Sequence, residues 1–221
     1  MTPPLDCVVV IPAYDEEATV GSVVRVALAA AVGAVVVVDD GSRDRTAEAA
    51  RAAGAEVLRL DANVGKGGAL AAAASARGEG VVVLLDADLT GLKPEHVRAL
   101  ADPVRGGEVD MTRGVFDGGR WMTTFAQHVA PLLNGQRAIR RELLRSVPGL
   151  AESRYGVEVA ITDHAHRRHW RTRDVSLRGV SQVMKEEKRG WWQGQRVRWT
   201  MYREIVRQAL RQLFGRSATK R

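Results

Sequence analysis

Two carboxylates that follow a short apolar run are the residues of this sequence best suited to chemistry. Asp86 and Asp88 come directly after Val81–Leu85, a run of aliphatic residues rich in valine. Such a run predicts a strand that is buried on both faces, as in a parallel sheet. Acids at the carboxyl end of that strand lie where open α/β folds bind ligands, and their oxygens can hold a hard divalent cation together with substrate phosphates. The alternative is a pair of solvated acids in an ordinary turn.

Two further predicted strands also end in polar loops. Cys7–Ile11 is followed by Pro12 and then by Tyr14–Glu16, and Val35–Val38 leads directly into Asp39–Ser42. Because the carboxyl ends of parallel strands meet at one edge of a sheet, these loops and the two acids would converge on one crevice. Polar strand ends that share one crevice predict a nucleotide-binding site, which favours chemistry over the ordinary turn.

Strands and helices alternate along the first half of the chain. This alternation predicts βαβ units and an α/β fold whose central sheet is Rossmann-like, mostly parallel and flanked by helices. In the first half, helices are predicted at Thr19–Ala31, Asp44–Ala53 and Ala69–Ala76, a strand at Glu56–Leu60 and a loop at Asn63–Gly68. In the second half, helices are predicted at Pro94–Arg105, Trp121–Leu133 and Tyr155–His169, strands at Glu108–Arg113 and Arg171–Leu177, and a turn into a short helix at Gly135–Leu143.

Length and composition are those of a soluble globular protein. The 221 residues are enough for one large domain with a sizeable core, and 45% of them are hydrophobic and 27% charged. The single cysteine, Cys7, excludes an internal disulfide framework. With no secretory signal at the start of the sequence, we expect a reducing, cytoplasmic location. No apolar run approaches the roughly 20 residues of a transmembrane helix, so we expect a protein that does not cross a membrane.

The basic charge is concentrated at the C-terminal end. Residues 185–221 contain 11 Lys or Arg and 3 acids, a net charge of +8, whereas residues 1–184 sum to −1. We therefore divide the chain into a domain at 1–184 and a basic amphipathic extension at 185–221, with its clearest helix at Arg196–Phe214. Its arginines, tryptophans and apolar face are typical of an interfacial helix on anionic lipid, although the same face could pack on the domain. We expect no nucleic-acid partner, since the domain has no basic excess.

Several motifs together resemble those of family 2 glycosyltransferases, which have the GT-A fold. They are PAYDEEATV at Pro12–Val20, VVDDGSRDRT at Val37–Thr46, NVGKGGAL at Asn63–Leu70 and LLDADL at Leu84–Leu89, in the order of that family. GQRAIRREL at Gly135–Leu143 and RYGVEV at Arg154–Val159 look like the second half of polyprenyl-phosphate sugar transferases of the dolichyl-phosphate mannose synthase type. The resemblance implies a GT-A domain that transfers a sugar.

A nucleotide-sugar site is the first implication of this resemblance. Tyr14 and Glu16 would contact the nucleotide, and Asp40 would accept a hydrogen bond from the base. Lys66 would lie near that base or near the phosphates. The residues that the resemblance assigns to the nucleotide-sugar are Pro12, Ala13, Tyr14, Glu16, Asp40, Gly41, Ser42, Lys66, Asp86 and Ala87.

A divalent cation, Mg²⁺ or Mn²⁺, is the second implication. Asp88 would bind it where it bridges the diphosphate, and Asp86 would approach the ribose or the metal. Polyprenyl-phosphate transferases often have a Gln two residues after the second Asp, where this chain has Thr90. Gln182, on a loop that would return over the site, is therefore the candidate for a further metal ligand. A metal stabilises the charge that grows on a diphosphate leaving group without any proton transfer.

The resemblance also assigns residues to the binding and activation of the acceptor. Arg113 and Arg137 match positions that hold acceptor phosphate in the polyprenyl-phosphate subgroup, and with Asp88 and Glu158 they form the predicted catalytic set. A phosphate acceptor is already anionic and needs no general base. A hydroxyl acceptor would be deprotonated by an acid such as Glu158 or Asp163.

The sequence therefore predicts a metal-dependent glycosyltransferase with a UDP- or GDP-linked sugar as donor. The acceptor would be a polyprenyl phosphate or another membrane lipid, reached by a cytoplasmic protein whose basic helix rests on the inner face of the cell membrane. Inversion at the anomeric carbon is what the resemblance implies. One alternative is transfer to a soluble or saccharide hydroxyl, and another is a catalytically silent nucleotide-binding scaffold. The intact Asp86 and Asp88 argue against the scaffold.

Overall fold

A computed structural model of the protein describes residues 6–74, 80–116, 135–153 and 156–183. The strands in these ranges are β1 Cys7–Ala13, β2 Ala34–Asp39, β3 Glu56–Arg59, β4 Val81–Leu84, β5 Leu89–Thr90, β6 Met111–Phe116, β7 Arg137–Arg140, β8 Thr172–Leu177 and β9 Ser181–Gln182. The helices are α1 Val20–Ala30, α2 Thr46–Ala52, α3 Lys66–Ala74, α4 Pro94–Arg105, α5 Arg141–Arg145 and α6 Val157–Arg167, with a 3₁₀ turn at Ala151–Ser153.

One mostly parallel sheet of seven strands forms the centre of the domain, in the order β3-β2-β1-β4-β7-β6-β8. Strands β3, β2, β1 and β4 are parallel to one another, and β6 is parallel to β8. Among the strands of the described ranges, only β7 runs antiparallel to its neighbours in this sheet, β4 and β6. A short second sheet pairs β5 with β9. The predicted α/β fold, with a mostly parallel sheet flanked by helices, is confirmed.

The central strands are buried on both faces, as their aliphatic sequences predict. In β4, Val81 and Val83 pack into the core on the side of α1 and α4, whereas Val82 and Leu84 pack into the core on the side of α3, α5 and α6. All of these side chains are at most 1% exposed. Fully burying a valine or leucine contributes about 1.5–3 kcal/mol, so this alternation fixes the strand between two helical layers and fixes where its carboxyl end emerges.

Two local predictions are wrong. Asn63–Gly68 was expected to be a loop, but α3 begins at Lys66. The backbone amides of Val64 and Gly65 donate hydrogen bonds to the carboxylate of Asp40, and this holds the chain in the position from which the helix starts. Gly135–Leu143 was expected to pass from a turn into a helix, but Arg137–Arg140 is strand β7, followed by the short α5. Arg137, Ala138 and Ile139 are all fully buried in this strand, and the arginine hides that burial from a reading based on hydrophobicity.

The remaining predicted elements in the described ranges agree with the structure apart from their boundaries, whereas β5, β9 and the 3₁₀ turn were not predicted. The largest shift is in β6, which begins at Met111 rather than at Glu108. The predicted helix at Trp121–Leu133 and the whole C-terminal extension at 185–221 lie outside the described residues. Among the helices in the described ranges, none has the length and apolar character needed to cross a bilayer.

Candidate active site

The loops after β1 and β2 are joined to each other by hydrogen bonds. The backbone amide of Asp15 donates to Ser42 Oγ at 3.0 Å, and the backbone amide of Glu16 donates to Thr46 Oγ1 at 2.8 Å. Asp15 adopts a left-handed conformation with φ of 54°, which turns the chain sharply after Tyr14. These bonds hold the predicted nucleotide-binding residues of both loops side by side at the carboxyl edge of the sheet.

Replacing Thr46 with Val is expected to destabilise the protein by about 1–3 kcal/mol. Thr46 is fully buried, and valine would leave the buried amide of Glu16 without an acceptor. Urea denaturation measures the loss. The matched control is Thr172→Val, at an exposed position of strand β8, and its loss of unfolding free energy should be far smaller. Equal losses for the two variants would contradict the role assigned to Thr46.

A third loop is anchored by Asp40. This residue is only 4% exposed, and its carboxylate accepts hydrogen bonds from the backbone amides of Val64 at 2.8 Å and Gly65 at 2.9 Å. Gly41 has φ of +72°, and a Cβ at this position would lie 3.0 Å from the carbonyl carbon of Ala62, so glycine lets the two loops approach. Asp40 thus sets the entry into α3, while its predicted contact with a base stays a prediction.

Asp86 is the point on which the site converges. Lys66 Nζ lies 2.5 Å from Asp86 Oδ1 and 2.5 Å from Glu158 Oε1, so one ammonium bridges two carboxylates. The other carboxylate oxygen, Asp86 Oδ2, accepts hydrogen bonds from Gln136 Nε2 at 2.8 Å and from Gln182 Nε2 at 2.6 Å. The Asp86 carboxylate at the end of β4 therefore joins α3, β9 and the residue that precedes β7, and Lys66 links it to α6.

The bridge holds Lys66 in its charged form. Burial alone would lower the pKa of Lys66, but the carboxylates of Asp86 and Glu158 raise it above the usual value of a lysine. A lysine whose pKa is raised by folding contributes stability that is complete below the pKa of the unfolded chain, about 10.4, and is lost only at higher pH. The ammonium is therefore a fixed positive charge throughout the neutral range.

Replacing Lys66 with Met is expected to lower the free energy of unfolding by about 2–3 kcal/mol, because two partly buried carboxylates would then face each other without their cation. The loss should be the same at pH 7 and pH 9, both below the unfolded pKa. Urea denaturation at each pH measures it. Lys93→Met is the control, since Lys93 is 62% exposed and lies 4.0 Å from Glu95. A loss for Lys66→Met no greater than that of the control would contradict the bridge.

Gly135 covers the bridge, and the sequence did not single it out. A Cβ at this position would lie 2.4 Å from Lys66 Nζ and 2.7 and 2.8 Å from the two carboxylate oxygens of Asp86. The next residue, Gln136, is fully buried and was missed as well, although it donates directly to Asp86. The one available signal was the Gly-Gln pair that opens the GQRAIRREL motif.

Asp88 lies two residues beyond Asp86 and is partly exposed. Its carbonyl accepts a hydrogen bond from the amide of Val183 at 3.0 Å, and the pairing of Leu89 with Gln182 returns the chain over the site. The role of Gln182 as a metal ligand stays a prediction. The carboxylate oxygens of Asp88 are ligands that suit Mg²⁺ or Mn²⁺. Among the described residues, no three His, Cys, Asp or Glu side chains are grouped as a metal site.

Arg137 lies beneath this cluster and is fully buried. Its Nη1 donates to Thr162 Oγ1 at 3.2 Å and to the carbonyl of Glu158 at 3.4 Å, one turn apart on α6. Burial lowers the pKa of Arg137 to about 10, opposed by the attraction of Glu158 and assisted by the repulsion of Arg113. The guanidinium is still charged at neutral pH, so the floor of the site carries a permanent positive charge.

Arg113 lies directly across from Arg137 in the sheet, and Asp174 lies directly across from Arg113 on the other side. Arg113 Nε and Nη2 donate to the two oxygens of Asp174 at 2.8 and 3.0 Å. Asp163, the alternative base, pairs with Arg167 at 2.8 Å. The residues predicted to be functional are all described, and the structure brings them to the carboxyl edge of the sheet or directly below it.

Comparison with known proteins agrees with this geometry. The model of glycosyl transferase family 2 matches residues 8–163. Glucosyl-3-phosphoglycerate synthase of Mycolicibacterium smegmatis is 31% identical over 210 residues, which cover 79% of this chain and 67% of that enzyme. Undecaprenyl-phosphate 4-deoxy-4-formamido-L-arabinose transferase of Pseudomonas aeruginosa is 41% identical over 112 residues, which cover 45% of this chain and 32% of that enzyme.

Solved structures show the same relationship. The structure of glucosyl-3-phosphoglycerate synthase from Mycobacterium tuberculosis with Mn²⁺, UDP and phosphoglyceric acid superimposes with a TM-score of 0.72 and 27% identity. The match covers 91% of this chain and 76% of that one. Because the family model matches most of the chain, this chain belongs to glycosyl transferase family 2 and is a glycosyltransferase enzyme.

Proposed function

We propose that this protein transfers a hexose from a UDP-sugar, with Mg²⁺ or Mn²⁺, to an acceptor that carries an anionic group. The observation that carries the proposal is the convergence of Lys66 and Gln182 on Asp86, with Glu158 bound to the same lysine and the partly exposed Asp88 close by. Support for the donor and the metal comes from the M. tuberculosis relative, which has been solved with UDP and either Mn²⁺ or Mg²⁺.

In this proposal Asp88 would hold the cation, with Asp86 and Gln182 as further candidate ligands. The bound cation would neutralise the charge that grows on the diphosphate as its bond to the sugar breaks. Lys66 would add a second positive charge at that edge of the sheet. Glu158 would position Lys66, because its carboxylate lies 2.5 Å from the lysine ammonium. Tyr14 would contact the nucleotide.

Two acceptors have support. A polyprenyl phosphate is supported by the similarity to the undecaprenyl-phosphate transferase and by the arginine pair Arg113 and Arg137. A small phosphorylated hydroxy acid is supported by the glucosyl-3-phosphoglycerate synthases, whose similarity extends over more of the chain. Both acceptors have an anionic group that the arginine pair would bind, and they differ in whether the protein works at a membrane surface.

An acceptor screen tests the proposal. The full chain is incubated with UDP-glucose and Mn²⁺ and with 3-phosphoglycerate, farnesyl phosphate in detergent, or a neutral saccharide, and UDP release and new glycosides are measured. Product with an anionic acceptor supports the proposal. Product with the neutral saccharide alone would contradict the anionic acceptor. The coupling constant of the anomeric proton in the product tests the predicted inversion.

The lipid acceptor also entails binding of the protein to membranes at the cytoplasmic face. The basic residues 185–221, proposed as a separate extension, lie outside the described residues, so solution binding has to test this. The full chain should co-sediment with liposomes that contain anionic lipid and not with neutral liposomes. Absence of binding to both would leave the soluble acid as the supported acceptor.

A further inference from the structure

A cleft of about 670 Å³ lies between α6 and strands β6 and β8. The polar side chains that line it are those of Arg113, Thr162, Asp163, His166, His169 and Thr172, and the apolar ones are those of Met111, Val159, Ala165 and Trp170. Asp163 is paired with Arg167 at 2.8 Å, so its charge is already balanced. A cleft of this size with Arg113 in its wall can hold a small molecule that carries an anionic group.

The cleft and the active site share helix α6. Glu158, Thr162 and His166 follow one another at four-residue spacing, so they lie along one face of α6. Glu158 binds Lys66 in the site, whereas Thr162 and His166 line the cleft. Arg137 contacts both Thr162 and the carbonyl of Glu158, and it pairs in the sheet with Arg113, which also lines the cleft. We therefore take the end of the cleft at Arg113 as the end nearest the donor site.

Arg113, at this end of the cleft, already holds a carboxylate. Asp174 occupies two of its N–H groups in the bidentate geometry that a phosphate or carboxylate ligand would use. The Arg113 side chain is 20% exposed and the Asp174 side chain 49% exposed, so Asp174 approaches from the solvent side. An ion pair with such an exposed partner contributes little to stability, and Asp174 can leave at small cost.

We propose that this cleft binds the acceptor, a small water-soluble phosphorylated or carboxylated hydroxy compound, and that Asp174 occupies Arg113 until the anionic group of the acceptor replaces it. Asp174 is then a specificity-determining residue. It offsets the repulsion between the adjacent guanidiniums of Arg113 and Arg137 in the empty cleft, and it excludes neutral acceptors that cannot compete for Arg113. This inference rests on the proposed function and names the substrate class of the same site.

Calorimetric titration of the full chain, in the presence of UDP and Mn²⁺, tests the exchange. Inorganic phosphate and 3-phosphoglycerate are the probes. Asp174→Asn should bind both about three- to ten-fold more tightly than the wild type, because a competing charge has been removed. Glu108→Gln is the control, since it removes the same charge from a carboxylate that pairs with Arg173, the neighbour of Asp174 on strand β8. It should bind the probes as the wild type does.

Two further variants separate exchange from a purely structural role. Arg113→Ala should weaken binding of both probes, and adding Asp174→Asn to it should restore nothing. Unchanged or weaker binding by Asp174→Asn would overturn the exchange. Farnesyl phosphate in detergent forms a third arm, and tighter binding of this probe than of 3-phosphoglycerate would overturn the soluble acceptor. A wild type that fails to bind UDP with Mn²⁺ would instead refute the proposed function itself.

Discussion

Replacing Asp88 with Asn is expected to abolish metal-dependent binding of UDP and to lower kcat by at least about 100-fold. Asp88 is a partly exposed acid close to the carboxyl end of β4, and carboxylate oxygens are the ligands that a hard cation prefers. An amide in its place keeps the size of the side chain and removes the negative charge that a hard cation requires.

Calorimetry with UDP and Mn²⁺ and the rate of UDP release measure the two effects of this change. Asp102→Asn is the control, because Asp102 is 56% exposed on α4 and pairs with Arg105. The control should bind UDP and turn over as the wild type does. Metal-dependent UDP binding that survives in Asp88→Asn would show that the cation is held elsewhere.

Gly135→Ala is expected to lower kcat/KM for the UDP-sugar by about 10- to 100-fold, since small displacements of catalytic groups are costly. The added methyl group would lie 2.4 Å from Lys66 Nζ and 2.7 Å from Asp86 Oδ1. Either the ammonium leaves both carboxylates or the backbone before β7 shifts, and Gln136 would move with it. In both cases the cluster around Asp86 is lost.

Steady-state kinetics and thermal unfolding of this variant separate a damaged site from a damaged fold. Gly21→Ala is the matched control, because a Cβ at Gly21 would be in ordinary van der Waals contact with its neighbours, the nearest being the flexible end of Arg25 at 3.4 Å. The control should keep its activity and gain slightly in stability, since alanine is the better helix former. Wild-type kinetics for Gly135→Ala would contradict the tight packing over Lys66.

The parts of the fold that could be predicted from the sequence are those in which local pattern and burial agree. The aliphatic run of β4 identifies a strand buried on both faces, and the polar residues after β1, β2 and β4 identify the edge at which the site forms. In the same way, Pro94–Arg105 is helical throughout, as predicted, because Pro94 lies at the first position of the helix and the apolar residues recur with helical spacing. The helix also contains Pro103 in its last turn.

Strand β7 could not be predicted because its burial depends on partners far away in the sequence. Arg137 is an arginine with no exposed surface, and it is tolerated in the core because Thr162 and the carbonyl of Glu158 accept its hydrogen bonds. Local hydrophobicity assigns such a residue to the surface. The one antiparallel strand of the large sheet was therefore missed.

The same limit applies within the site. Lys66 was expected near a base or the phosphates, but its bonds to Asp86 and Glu158 span 20 and 92 residues of sequence. No local motif contains that information. The role of Gly135 depends on its distance from an ammonium that belongs to α3, and only the assembled fold shows it.

A calorimetric titration of UDP into the wild-type protein, with Mn²⁺ and with EDTA, tests the central claim most directly. GDP is titrated in parallel as the matched nucleotide. The account predicts that one UDP binds per chain, that EDTA abolishes the binding, and that GDP binds more weakly. No binding of UDP by a protein shown to be folded by circular dichroism would contradict the account and would favour the silent scaffold over the transferase.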